Sequence, residues 1–157
     1  AQVYNGFVAV KNMTFGIPEG QCFGFLGVNG AGKTTTLSML SGAIYPTAGD
    51  AFLKNHSVVT EPQKTHQLIG YCPQFDSLLG NLTARENLTL FARIKCVPEK
   101  NMKRLVEGLI NVLELSEYAH KPCRTYSGGN RRKLSVAMSL IGTHMIIMTT
   151  RCMKILA

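Results

Sequence analysis

The stretch "GVNGAGKT", residues 27–34, contains three glycines followed by one lysine and one threonine, at a spacing that could bind phosphate. Glycines let the backbone curve around an anion without clashes from Cβ atoms, and the N–H groups of such a loop converge on that anion. A helix that starts directly after the loop adds its positive dipole end. Lys33 can reach terminal phosphates, and the Thr34 hydroxyl suits a magnesium ion. The stretch therefore predicts binding of a nucleoside triphosphate with Mg²⁺.

The elements around this loop fit the motif. The apolar run 21–26 is typical of a buried strand, and residues 34–40 are typical of a helix that stops near Gly42. With this context, a glycine-rich turn that matches by chance is the weaker interpretation. The motif alone leaves open a GTPase, a small-molecule kinase, a helicase-like ATPase or a transporter ATPase. The absence of an Asn-Lys-x-Asp guanine-reading motif argues against the GTPase.

A second stretch, "TYSGGNRRKLSVAMSLIG" at residues 125–142, narrows these options. Ser127, Gly128 and Gly129 are expected to open a helix, whose first N–H groups form another anion-binding point. Two such helix starts, far apart in one chain, suggest a nucleotide held between two copies. Taken alone, "SGG" would indicate only a capped helix start.

Together these residues resemble the ATP-binding cassette of ABC transporters, from about Tyr4 to Gly142. "GVNGAGKTT" resembles the Walker A motif, "YCPQFD" the Q-loop, and "YSGGN" the signature motif, with Asn130 where most subfamilies carry glutamine. "YCPQFDSLL", "LTARENL", "ARIKCVPE" and "YSGGNRRKLS" are similar to the A subfamily of lipid exporters, most of all to its second cassette. The resemblance implies an α/β P-loop NTPase fold of the ABC type, with a helical subdomain and without the C-terminal part.

The resemblance also implies roles for single residues. Lys33 and Gln74 would serve catalysis, and Thr34 and Gln74 would approach Mg²⁺. Tyr4 would stack on adenine, although an ordinary strand-edge tyrosine is the alternative. Ser127 and Gly129 would contact the γ-phosphate bound by the opposite cassette. The implied nucleotide contacts are Tyr4, Gly27, Asn29, Gly30, Ala31, Gly32, Lys33, Thr34, Thr35, Ser127, Gly128 and Gly129.

The C-terminal end departs from the family. After the signature helix, the family has an apolar strand that ends in Asp-Glu, the Walker B motif, followed by the D-loop and a switch histidine. Here "MIIM" precedes Thr149 and Thr150, and no Asp or Glu follows Glu117. His144 comes before the strand and cannot take the place of the switch histidine. Nucleotide binding with little or no hydrolysis by this chain is therefore expected.

Composition fits one globular domain or a piece of one. The chain has 157 residues, 45% hydrophobic and 17% charged, which excludes a disordered chain. Because it starts at Ala1, we expect a segment of a larger product. The predicted division is a nucleotide-binding core over 1–75, a helical and signature region over 76–142, and an atypical tail over 143–157. The five widely spaced cysteines are expected to be small buried side chains rather than disulfides or zinc ligands.

The positive charge lies mostly near the C-terminus. Residues 118–157 carry seven Lys or Arg and no acid, which indicates either an anionic partner or a missing acidic segment. We favour the missing segment and expect no nucleic-acid partner. The uncharged run 134–150 predicts a helix, a turn at Gly142 and a buried strand rather than a membrane span. The expected partners are ATP, the transmembrane domains of the same transporter, and a second cassette in a sandwich dimer at the cytosolic face of a membrane.

Two other functions remain open from sequence. One is a soluble ABC-type ATPase that acts on nucleic acid or ribosomes, and the other is an inactive truncated fragment. Local signals also predict further elements. These are a strand over 8–15, a hairpin from "AFLKN" and "SVV", a strand over 68–72, and helices over 83–95, 99–115 and 127–141.

Overall fold

The computed structural model describes residues 1–74, 77–142, 146–149 and 154–156. Its contacts divide the chain into two compact units. The loop unit comprises Ala1–Tyr71 and Thr143–Ala157, and the helical unit comprises Cys72–Gly142. The two units are considered in turn.

The loop unit mixes short strands with two helices. Its elements, in chain order, are β1 Gln2–Tyr4, β2 Phe7–Val10, β3 Cys22–Gly24, α1 Lys33–Leu40, β4 Phe52–Leu53, β5 His56–Ser57, α2 Pro62–Leu68, β6 Ile69–Cys72, β7 Ile146–Thr149 and β8 Lys154–Leu156. Four of the strands form one sheet in the order β3-β8-β7-β6. Strand β8 runs antiparallel to both of its neighbours, β3 and β7.

Two tight hairpins form where the sequence supplies residues that tolerate a left-handed backbone. Asn5 and Gly6 have φ angles of 45° and 85° and turn β1 into β2. Lys54 and Asn55 have φ angles of 47° and 65° and turn β4 into β5, which confirms the predicted hairpin. A two-residue connection with positive φ at both positions matches the right-handed twist of the strands. The predicted strand over 8–15 was wrong beyond Val10, where β2 ends.

The described core of the loop unit is small. Its buried members are Leu37, Leu53, Val58, Ile69, Ile146 and Met148. Beside them lies a cavity of about 630 Å³, lined among others by Val10, Leu40 and Phe52. The run 21–26 was predicted to be a buried strand, but β3 covers only three residues, and Cys22 and Gly24 are exposed. Burial of a strand depends on what packs against its two faces, which a short apolar run cannot reveal.

The helical unit is built on three helices: α3 Ala84–Ile94, α4 Glu99–Val112 and α5 Gly128–Ser139. Thr83 and Glu86 form the predicted capping box, in which each side chain accepts a hydrogen bond from the other residue's N–H. Pro98 precedes α4, as predicted, while α4 ends at Val112 rather than near Leu115. One apolar cluster fills this unit, and its buried members include Leu88, Ala92, Met102, Val106, Ile110, Leu115, Leu134 and Ile141.

Several other predictions can be compared with the structure. Helix α2 was not predicted, although Pro62 at its start is a recognised helix-initiating residue. The strand predicted over 68–72 is confirmed as β6. Cys72 and Cys123 are buried as expected, but Cys22 and Cys96 are exposed, so the burial prediction was wrong for that pair. Cys152 lies outside the described residues. Among the described residues, no helix is long and apolar enough to cross a membrane.

Candidate nucleotide-binding site

The backbone of the loop at residues 27–34 curves tightly before α1. The Ala31 N–H donates to the Val28 carbonyl at 3.2 Å, and Gly30 and Gly32 have φ angles of 85° and 81°. A Cβ atom built on Gly32 would lie 2.5 Å from the Ala9 carbonyl oxygen. Both the backbone angle and the lack of space therefore require glycine at position 32.

Helix α1 begins without any side-chain cap. Gly32 occupies the N-cap position, and the first helical bond runs from the Thr36 N–H to the Gly32 carbonyl at 2.8 Å. The N–H groups of Lys33, Thr34 and Thr35 come before that bond, so the helix itself offers no carbonyl to accept them. The first turn also contains no acidic side chain. This helix start is thus suited to an external anion.

Lys33 folds back over the loop. Its Nζ donates to the carbonyls of Gly27 and Val28 at 2.7 and 2.8 Å. A Cβ on Gly27 would lie 3.3 Å from the Ala31 Cβ, so the loop interior is close-fitting there. The ammonium group is therefore held at the loop, where it adds a full positive charge to the N–H dipoles of α1.

These residues fit a nucleoside triphosphate. One continuous segment contains glycines with no room for a Cβ, the Lys33 ammonium donor and the uncapped start of α1. For a metal ion the protein offers less. Thr34 is exposed and carries a hydroxyl oxygen, and the described residues contain no cluster of three His, Cys, Asp or Glu side chains that could hold a metal. A Mg²⁺ ion at Thr34 would therefore take most of its ligands from phosphate and water.

The remaining predicted contacts of the loop unit are on its surface. Asn29 and Ala31 are exposed within the loop. Tyr4 lies at the end of β1, paired with Phe7 across the hairpin, and is 45% exposed. The hairpin is fastened by side chains that the sequence did not point to, since the Val3 N–H donates to Thr47 Oγ1 at 3.0 Å. An aromatic ring held at this rigid edge is free to stack on a flat ligand.

The second predicted anion point, in the helical unit, starts with its own cap. Ser127 is the N-cap of α5, and its Oγ accepts from the Asn130 N–H at 3.2 Å. Gly128 and Gly129 follow as the first two helical residues, and both are exposed. The N–H groups of these two glycines precede the first helical bond, which runs from the Arg131 N–H to the Ser127 carbonyl.

A segment before Ser127 holds this start in place. The N–H groups of Cys123 and Arg124 donate to the carbonyls of Leu82 and Gly80, each at 2.9 Å. Asn87 is fully buried beneath these two segments. Its Oδ1 accepts from the Leu79 N–H. Its Nδ2 donates to the carbonyls of Leu79, Leu82 and Thr83 and to the Cys123 sulfur. Sequence reasoning missed Asn87, and its only signal was a polar residue on the apolar face of α3.

Tyr126, directly before Ser127, is buried against the same segment. Its hydroxyl donates to the Tyr118 carbonyl at 2.5 Å, and the two rings meet edge to face. Burial, together with the neighbouring Cys123, raises the pKa of Tyr126 to about 12. Burial likewise raises the pKa of the Cys123 thiol. Both groups are therefore neutral at physiological pH, as a packed support for a helix start requires.

Gln74 lies at a bend just after β6, exposed to solvent. The preceding residue, Pro73, has its carbonyl bonded by the Arg132 guanidinium at 2.5 Å. Phe75 and Asp76, which complete the Q-loop resemblance, lie outside the described residues. Sequence reasoning treated Arg132 as part of a charged run, although its position four residues after Gly128 puts both on one helix face.

The apolar run near the C-terminus forms strand β7, Ile146–Thr149, as predicted. Ile146 and Met148 are buried in the core of the loop unit. Thr149 is the last residue of that strand, where the family would carry the first Walker B acid. His144 and Thr150 lie outside the described residues.

Comparison with known proteins identifies the family of this chain. The family model described as ABC transporter matches residues 10–149. The chain belongs to the ABC transporter family. It is 50% identical over 135 residues to ATP-binding cassette sub-family A member 2 of Homo sapiens, which covers 86% of this chain and 6% of that protein. It is 47% identical over 140 residues to Phospholipid-transporting ATPase ABCA3 of Homo sapiens, covering 89% of this chain and 8% of that protein.

Solved structures agree with this membership in the ABC family. A dimeric post-hydrolysis state of the ATP-binding cassette MJ0796, bound to ADP and Pi, aligns with a TM-score of 0.75 at 26% identity, over 90% of this chain and 65% of that one. The structure of cbiO1 from Clostridium perfringens aligns with a TM-score of 0.77 at 21% identity, over 90% of this chain and 58% of that one, and supports the fold alone. The predicted α/β P-loop NTPase fold of the ABC type is confirmed, as is the resemblance to the A subfamily. The chain spans only 6% to 8% of the length of the curated ABC relatives described above.

Proposed function

We propose that this chain is an ATP-binding module derived from an ABC transporter of the A subfamily, from its second cassette. The observation that carries the proposal is the uncapped start of α1, with Lys33 held over the glycine loop. That arrangement has unsatisfied donors and one full positive charge, and a triphosphate matches both. The relative named Phospholipid-transporting ATPase ABCA3 supports lipid as the cargo of the parent transporter.

In this proposal each residue of the loop has a defined task. The N–H groups that start α1 would orient the β- and γ-phosphates, and the Lys33 ammonium would leave the carbonyls of Gly27 and Val28 to neutralise phosphate charge. Thr34 would hold Mg²⁺, which supplies charge neutralisation between the phosphates. Tyr4 would stack on the adenine ring. Gln74 would approach the metal ion or the attacking water.

The second helix start serves a different nucleotide in this proposal. Ser127, Gly128 and Gly129 would contact the γ-phosphate bound by another cassette, in a sandwich dimer. The dimeric structure of the MJ0796 cassette supports this arrangement. The transmembrane domains of the same transporter would be the other partner, at the cytosolic face of a membrane, and no nucleic acid would bind.

Turnover by this chain alone is expected to be negligible. Hydrolysis needs a carboxylate that polarises water at the γ-phosphate, and removing such a general base typically lowers a rate by roughly 10²–10⁴-fold. The sequence has Thr149 and Thr150 at that place and no acid after Glu117. We retain the division into a nucleotide-binding core over 1–75, a signature region over 76–142 and an atypical tail over 143–157 as part of this proposal.

A calorimetric titration with Mg·ATP tests the binding function. Replacing Lys33→Ala removes one charged donor to phosphate, worth roughly 1.5–3 kcal/mol, so the affinity should fall about 10-fold to 100-fold. Lys11→Ala is the matched control, because it removes the same charge from an exposed position outside the loop. Equal affinities for the wild-type chain and Lys33→Ala would refute the proposal.

A further inference from the structure

One charged hydrogen bond in the helical unit joins residues 59 positions apart. The Arg132 guanidinium donates through its NH1 nitrogen to the Pro73 carbonyl oxygen at 2.5 Å. Arg132 is half-buried and lies in the second turn of α5. A hydrogen bond from an ionised donor is shorter and roughly twice as strong as a neutral one. The contact is therefore a strong link between α5 and the chain that leaves β6.

The bonded oxygen controls the residue that follows it. The carbonyl of Pro73 and the N–H of Gln74 belong to one planar peptide unit, so fixing the oxygen fixes the orientation in which Gln74 begins. Pro73 comes directly after the last residue of β6, and its oxygen accepts from a side chain 59 residues further along the chain. The ring of Pro73 also fixes its own φ angle, so ψ is the only free backbone dihedral of Pro73 before this peptide unit.

The other end of the link is the start of α5. Arg132 is four residues after Gly128, so both lie on one face of the helix, one turn apart. Its neighbour Lys133 instead donates to Glu114 at 3.1 Å, so the two adjacent basic side chains have different partners. Arg132 thus connects the Gln74 peptide to the rigid element that carries Ser127 and Gly128.

We propose that Arg132 is a positioning residue that sets the orientation of Gln74 relative to the start of α5. The inference rests on the proposed function, since it gives Gln74 and Ser127 their nucleotide contacts. A change in the position of Gln74 on nucleotide binding would pull on the Pro73 carbonyl and, through the guanidinium, on the first turn of α5. The bond makes two nucleotide contacts of one cassette respond together.

Nuclear magnetic resonance of the ligand-free chain tests the positioning. The ¹³C shift of the Pro73 carbonyl and the ¹⁵N shift of the Gln74 amide both report a hydrogen bond to that oxygen. Arg132→Ala should move both signals, Arg132→Lys should return them part of the way, and Lys133→Ala should leave them at their wild-type positions. Unchanged Pro73 and Gln74 signals in Arg132→Ala would overturn the proposal.

Adding Mg·ATP tests the coupling. In the wild-type chain the amides of Gln74 and Gly128 should both shift with nucleotide, whereas in Arg132→Ala the shift at Gly128 should be lost. A Gly128 response that persists in Arg132→Ala would overturn the coupling. If the Lys33 amide does not respond to Mg·ATP, the proposed function fails instead, and the Pro73 carbonyl signal then decides the role of Arg132 by itself.

Discussion

The two helix starts that we propose as phosphate contacts, those of α1 and α5, are built in opposite ways. Helix α1 begins at a left-handed Gly32 that has no side chain with which to cap it, whereas α5 begins at Ser127, whose hydroxyl caps the Asn130 N–H. The first start thus depends on a ligand to satisfy its donors, and the second is partly satisfied before any ligand arrives. On the function proposed above, we therefore expect the α1 start to bind nucleotide strongly by itself, and the α5 start to bind it only in a second cassette that already holds the nucleotide.

The hydrophobic cores of the two units also differ in size, and the larger one belongs to the unit with the capped helix start. The signature start rests on the apolar cluster of the helical unit, with Asn87 and Tyr126 bonded under it. The described core of the loop unit has six buried members and adjoins a cavity of about 630 Å³. The cluster of the helical unit has fourteen buried members among the described residues, and more buried apolar surface gives more hydrophobic stabilisation. The helical unit is therefore expected to be the more stable of the two.

The largest expected effect comes from exchanging one glycine in each start for alanine. Gly32→Ala forces a left-handed backbone on alanine, at roughly 1–2 kcal/mol. Its Cβ also meets the Ala9 carbonyl oxygen at 2.5 Å, which adds an overpacking cost of roughly 1–3 kcal/mol. Gly128→Ala meets no atom within 4 Å and should change stability by less than about 1 kcal/mol. Urea unfolding followed by circular dichroism measures both variants, and equal losses would refute the contrast.

A smaller effect is expected when the second start is made to resemble the first. Ser127→Ala removes the cap and should lower the free energy of unfolding of the helical unit by about 1 kcal/mol, whereas Ser127→Gly should lower it by only a few tenths. Hydrogen exchange of the Asn130 amide reports the same loss locally, because that N–H is the capped group. If Ser127→Ala leaves stability and exchange unaltered, the Ser127 hydroxyl does not stabilise the start of α5.

An effect of similar size, which depends on pH, concerns Tyr126, the residue directly before Ser127. Because the pKa of Tyr126 rises from 10.0 to about 12 on folding, the folded chain keeps a proton that the unfolded chain loses. Its contribution to stability is complete below pH 10 and disappears as pH rises through about 12. Tyr126→Phe should be less stable at neutral pH by about 1 kcal/mol, for the lost bond to Tyr118, yet should lose less stability between those pH values. Parallel pH profiles for the two proteins would contradict this assignment.

The sequence predicted those features that depend on short-range signals. The glycine loop, the capping box of Thr83 and Glu86 and the helix start at Ser127 are each specified by a few neighbouring residues, and the structure has all three. The turn at Asn5 and Gly6 carried an equally local signal that was not used, and the strand after it was consequently predicted too long.

The features that sequence reasoning missed depend on distant contacts. The place of β3 at the edge of its sheet depends on pairing with β8, which lies at least 130 residues further along the chain. The bond of Arg132 to Pro73 and the burial of Asn87 likewise join segments that are remote in sequence. A pattern read along one strand or helix holds no information on such partners, so only the fold could reveal them.

We propose that this chain binds Mg·ATP at residues 27–34 but does not turn it over. Steady-state phosphate release by the purified chain, with Lys33→Ala as the background, tests it most directly. With Thr149 and Thr150 in place of the Walker B acids, we expect a rate indistinguishable from that background at an ATP concentration that saturates binding. Release well above the background, at the rate of an intact cassette, would contradict it.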